Sequence, residues 1–306
     1  MKTISKVASG LALIAVSSAA MAANSGIAGT RHNLGSGSTG GNSTNGTTEI
    51  CVFCHTPHGA NQQASAPLWN RIVTTATFQR YSSLNTTTFD AAEVPVGSVS
   101  LACLSCHDGT QAMDVVLNAP GSGGSFSSVG QGTHTGIANW VETNQFSSMS
   151  GQDNGTQGDL VYIGTDLRND HPVSMQYGGG GLSDAAAGLG STYDADYAQA
   201  AASGTGRPGT NTAIGGTGVV RTRQLHGTGQ RVWWVDTGTE GQQKTDFTLF
   251  SRADGYSAAG NSTIAAGNQP YVECATCHDP HSTNSTFLRL AGGNRGSQVC
   301  LTCHTK

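Results

Sequence analysis

Cys274-Ala-Thr-Cys277-His278-Asp-Pro-His281 repeats, more than two hundred residues on, the pattern of Cys51-Val-Phe-Cys54-His55-Thr-Pro-His58. Each is followed by a second Cys-x-x-Cys-His, at Cys103–His107 and at Cys300–His304. When such a run coils into one helical turn, positions i, i+3 and i+4 share a face. Two thiols and an imidazole then converge on one side of the turn, the geometry of covalent haem c attachment. The thiols of Cys51, Cys54, Cys103, Cys106, Cys274, Cys277, Cys300 and Cys303 would add to vinyl groups as thioethers. His55, His107, His278 and His304 would ligate iron on the proximal side. Disulfides or zinc sites are the competing uses of eight cysteines. Neither predicts a histidine after every pair, and the four motifs consume all eight thiols. The expectation is four covalently bound haem c groups.

The chain opens with Lys2 and Lys6, an apolar run Val7–Val16 broken only by Ser9 and Gly10, and Ala20-Met21-Ala22, a small-x-small cleavage pattern. Residues 1–22 read as a cleaved signal peptide, which predicts an exported protein. The apolar run is too short to span a bilayer, so no membrane span is expected. The remainder, 23–306, reads as one domain with a flexible Gly/Ser/Thr/Asn arm at 23–50 and a glycine-rich interval at 177–269.

With 306 residues, 36% hydrophobic, 11% charged and 43 glycines, the chain is poor in ordinary core material. Large apolar macrocycles would fill the interior instead. A net charge of −4 leaves no basic excess to attract nucleic acid or an anionic membrane. Strand signals occur at Asp159–Gly164, Arg231–Asp236 and Asp246–Phe250, and a weak helix at Tyr193–Ala202. None of these segments carries a full core of its own, so small hairpins on a loop-rich body are expected. Trp69 reads as a haem-packing residue.

Beyond the four motif histidines, six of the ten remain: His32, His58, His134, His171, His226 and His281. Six spare imidazoles for four vacant axial positions make bis-histidine ligation throughout the expected arrangement. His58 and His281 follow a proximal histidine by three residues, too short a link to pass round a porphyrin. Each is therefore expected to serve a neighbouring iron. His171, held by Pro172, is the third distal candidate, and His32 the fourth; His134 or His226 could take its place. Nineteen residues separate His32 from Cys51. At roughly 3.3 Å per residue, that arm has a reach of about 60 Å. His32 could thus close an iron in another copy of the chain.

The Cys-x-x-Cys-His-x-Pro-His, Phe287-Leu288-Arg289, Cys-x-x-Cys-His succession at 274–304 resembles the doubled Cys-x-x-Cys-His multihaem cytochromes. The wider plan of Arg31–Leu34, Cys51–His58, Cys103–Gly109, Asp170–Val173 and the terminal pair is similar to the extracellular tetrahaem cytochromes of OmcE type. That resemblance implies a mostly irregular, haem-organised multihaem cytochrome c with short helices at the motifs. It implies electron transfer from redox-partner cytochromes to extracellular acceptors, at the cell surface or beyond. It further implies self-association into a filament, with possible haem ligation between subunits. A monomeric periplasmic shuttle is the alternative; a multihaem reductase with one open iron is a more distant one. No catalytic residue is expected in the electron-transfer reading.

Overall fold

The computed structural model describes residues 26–38, 42–86, 91, 93–110, 113, 115–118, 126–127, 135–137, 140–142, 162–182, 191–200, 219–224, 231–237, 242–252 and 269–305. The expected signal peptide, His134 and His226 lie outside them. The strands are β1 (Asn42–Thr44), β2 (Val115–Val116), β3 (Phe126–Ser127), β4 (Thr135–Ile137), β5 (Trp140–Glu142), β6 (Met175–Gln176), β7 (Val219–Gln224), β8 (Arg231–Asp236), β9 (Phe247–Ser251) and β10 (Pro270–Val272). The α-helices are α1 (Ser98–His107), α2 (Cys274–Cys277) and α3 (Gln298–Cys303). Every described α-helix thus ends on a cysteine motif, and the described residues are otherwise mostly irregular, as the sequence predicts.

The hairpins are joined further than the sequence suggested. Strands β6–β10–β9–β8–β7 form one antiparallel sheet of five, while β1 pairs with β5 and β2–β4–β3 form a third, small sheet. In β8 and β9 the alternation of strand side chains turns Trp233, Val235, Phe247 and Leu249 to one face. Met175, Tyr177, Leu182, Ala198, Val220 and Val272 complete a core there. Most of this core comes from the 177–269 interval, which the sequence presented as loop and glycine. Its apolar residues are dispersed between turns, and only the sheet gathers them. Cys277 and Cys303 pack against the same core, so the sheet seats the two C-terminal motifs. Two smaller clusters seat the others: Leu34, Val52, Phe53, Met113 and Val116 contact Cys54, and Ala64, Trp69, Val73 and Ala102 contact Cys54 and Leu101.

At the β8–β9 turn, buried Asp246 accepts hydrogen bonds from the Thr237 and Gln243 amides, at 2.9 Å and 2.7 Å. The expected helix at Tyr193–Ala202 is absent over its described part. Asp194 Oδ1 instead accepts the Asp196 amide at 2.9 Å, and the Gln199 amide group donates to Tyr197 O at 2.8 Å, closing local turns. Residues 162–164 are not a strand either: the Ile163 and Gly164 amides both donate to His107 O. Gly109 beside them has φ +72°, and a Cβ there would lie 2.4 Å from the Tyr162 ring, so glycine lets that ring close over the end of α1.

Candidate haem sites

Each motif forms its turn from local hydrogen bonds. The amides of His55, His278 and His304 donate to the carbonyl of the first cysteine in their own motifs, at 2.8, 3.1 and 2.8 Å. His107 closes the last turn of α1. Each of these histidines is then tied by its main chain to a second segment. His55 bridges to Trp69, His278 to Leu288, His304 to Tyr197, and His107 O accepts from Ile163 and Gly164. Asn70, wholly buried, locks the first motif by donating to Val52 O at 2.6 Å and Asn118 O at 2.8 Å, while accepting the Asn118 amide at 2.9 Å. Arg289, from the Phe-Leu-Arg run, clamps the third with two bonds to Ala275 O, at 3.0 and 2.8 Å.

Five of the imidazoles are held in one tautomer. Nδ1 of His55 lies 2.6 Å from Pro67 O, His278 Nδ1 2.8 Å from Thr286 O, His171 Nδ1 3.0 Å from Pro172 O and His32 Nδ1 3.2 Å from Pro280 O. A carbonyl only accepts, so each Nδ1 carries the proton and each Nε2 is left with a bare lone pair. His281 Nδ1 lies 3.4 Å from the Asp279 carboxylate, which imposes the same tautomer.

Two pairs of rings face each other. The centroids of His55 and His281 are 6.2 Å apart with planes at 15°, and those of His32 and His107 are 6.4 Å apart at 66°. These separations are too long for ring contact. With imidazole–metal bonds of about 2 Å and about 1 Å from each nitrogen to its ring centre, one ion between two imidazoles sets the centroids roughly 6 Å apart. His171 lies within electrostatic reach of His304; burial, foremost, lowers its pKa. Burial likewise pushes His32 down to about 4, keeping the ring neutral. Among the described residues no ring contact joins His58, which is exposed, to another histidine.

The arm expected to be flexible is docked from residue 26 onward. His32 stacks on Phe287 at 4.1 Å, and a Cβ on Gly26 would lie 2.4 Å from His281 O. His32 therefore stands within its own chain beside His107, where the sequence suggested an excursion to another copy.

The eight cysteines are free of disulfides, and among the described residues no cluster of three or more metal-binding side chains forms. The surroundings of the thiols suit uncharged sulfur: burial pushes Cys54 up to about 12 and Cys277 up to about 11. The cysteines lie within electrostatic reach of one another in sequence order, Cys54 with Cys106, Cys103 with Cys274, and Cys277 with Cys300 and Cys303. Trp69, buried and edge-on to His55 at 6.2 Å, has an indole N–H with no acceptor among the described residues. A haem propionate is an acceptor of the required kind, and the residues present fit haem c.

Residues 267–306 carry a doubled CXXCH motif. The match covers the third and fourth cysteine motifs and supports the multihaem c-type cytochrome class, with covalently bound haem c and a part in electron transfer. No curated protein compared with the chain matches it. No described helix is long and apolar enough to cross a membrane.

Sequence reasoning missed Asn70, Arg289 as a clamp, and the buried Glu273 described below. Their partners lie up to 173 residues away, and nothing local marks them.

Proposed function

We propose that the chain is an exported tetrahaem cytochrome that relays electrons through bis-histidine haems, and that copies associate end to end into an extracellular filament. The observation that carries this reading is the pair of ring separations, His55 to His281 and His32 to His107. Bound haem supplies a one-electron iron couple, and two imidazoles hold the ferric state more firmly than a His/Met pair does. The chain fixes Nε2 as the free nitrogen, positions the rings and buries the sulfurs. His55 with His281, His107 with His32, and His304 with His171 form three axial pairs. His278 and His58 remain for the fourth iron, both exposed. Electrons pass in the order of the motifs along the chain, following the proximity of their cysteines.

Among the described residues neither His278 nor His58 has a facing imidazole, and His58, the distal member, is the one assigned to an adjacent copy. A contact of that kind is heterologous, and where it does not close into a ring it propagates as a filament. The alternatives are a monomeric periplasmic shuttle with the same relay and a reductase with one open iron. The test is His58→Ala, examined by mass, spin state and particle size. Four attached haems, one turned high-spin, and loss of polymer are expected. A high-spin signal in the unaltered protein would favour the reductase. Monomer before substitution would favour the shuttle, and filaments of unchanged length afterwards would refute the exchanged ligand.

A further inference from the structure

Two buried charges of the C-terminal half, Glu273 and Arg252, meet at one seam. Glu273, 1% exposed, directly precedes Cys274 and caps α2. The Ser100 hydroxyl donates to its Oε2 at 2.5 Å and the Ser174 hydroxyl at 3.1 Å. Ser100 Oγ in turn accepts the Cys274 amide at 3.0 Å. A hydrogen-bond relay thus runs from the Cys274 main chain through Ser100 to the carboxylate. Ser100 lies on α1, one turn before Cys103, and α1 packs against α2. The carboxyl group is therefore hydrogen-bonded at the junction of the two helices that carry the second and third motifs.

Two serine hydroxyls and a cap do not require an acid at this position, since N-caps are ordinarily Ser, Thr, Asp or Asn. The cation facing it is Arg252, 2% exposed at its side chain, with Nη1 at 3.7 Å from Oε1. That Nη1 donates to Pro95 O at 2.9 Å, so the guanidinium is near the carboxylate without closing on it. From α1 and α2 the facing titratable groups are Cys103 and Cys274, uncharged as thioethers, and Asp170 acts on Cys274. The thioether sulfurs bond porphyrin carbon, and the nearest proposed iron ligand in sequence, His278, is five residues on.

We propose that Glu273 is a redox-linked proton acceptor for the haems of the second and third motifs. The inference rests on the haem reading of those motifs. A one-electron reductant, such as an upstream cytochrome, delivers an electron to iron. The positive charge at the seam falls by one, and the carboxylate takes one proton from water. No bond to the porphyrin forms or breaks, and reoxidation returns both particles. Burial, opposed by the Ser100 bond and Arg252, pushes this carboxyl up to about 8, within the range where the charge on a nearby haem decides its protonation.

The experiment uses the holoprotein, with haem number fixed first by mass; absence of haem from the second or third motif would end the underlying reading before this one is tried. Potentiometric titration over about pH 5 to 9 should then show two potentials falling with rising pH, their slopes summing to no more than about 59 mV per unit because one carboxyl takes one proton for the pair. Glu273→Gln should flatten those two slopes and leave the other potentials in place. Slopes equal in both proteins, or absent in the unaltered one, would overturn the proposal. Should the variant fail to accumulate, redox-difference infrared spectra of the unaltered protein decide: a protonated-carboxyl band gained on reduction supports it, and no such band overturns it.

Discussion

Replacing Asn70 with alanine removes the bolt of the first motif. The side chain is wholly buried and makes three short hydrogen bonds, to Val52 O, to Asn118 O and from the Asn118 amide. At about 1 kcal/mol for each bond, and more where the abandoned partner stays dry, the substitution should cost about 3 kcal/mol or somewhat more. For a chain of this size that lowers the apparent unfolding midpoint by about 6 °C or more. The main-chain bond from the Asn70 amide to Cys54 O is untouched by the change, so both thioethers should still form. The cost falls instead on the strap that carries Trp69 against His55. Calorimetry of the holoprotein, paired with a low-temperature spin spectrum, measures both halves. A midpoint within about 1 °C of the parent would show that the three bonds are replaced by water at no cost and that Asn70 is not structural.

His281→Ala should leave every haem attached but convert the haem of His55, and no other, to high spin; magnetic circular dichroism combined with His55 and His278 variants identifies which. Finding the His278 haem perturbed would refute the facing-ring geometry. Acid should loosen the arm. His32 is held near 4 in the folded chain against 6.5 in the unfolded one, so its contribution is fully present above about 6.5 and is lost as pH falls toward 4. Hydrogen exchange at residues 30–34 should therefore quicken across that window, and His32→Gln should remove this dependence.

The motifs were legible because their chemistry is local: five residues make the turn, and the spacing fixes which side chains share a face. β8 was legible too, since Arg231–Asp236 carries its apolar residues in one uninterrupted run, and β9 lies one residue from the expected Asp246–Phe250. The assembly of these strands was not legible. Val220, Trp233, Phe247 and Val272 lie on four segments separated by turns, and only the pairing registers unite them. His171 could be found through its proline, whereas His32 could be reached only by counting ligands, and its place beside His107 depends on contacts with Phe287 and Pro280 about 250 residues away. Glu273 sits in an unremarked Val-Glu-Cys triplet. Its significance comes from Ser100, Ser174 and Arg252, brought together by the fold.

Four of the histidines hand their Nδ1 proton to main-chain oxygen, and in three cases the oxygen belongs to a proline, at 67, 172 and 280. A carbonyl is present whatever side chain a codon specifies, and proline narrows the directions in which it points. The electronic character of the proposed iron ligands would in this way be insulated from mutation. A substitution that replaces a side chain at 67, 172 or 280 leaves the accepting carbonyl in the chain, and with it the acceptor that sets the ring tautomer.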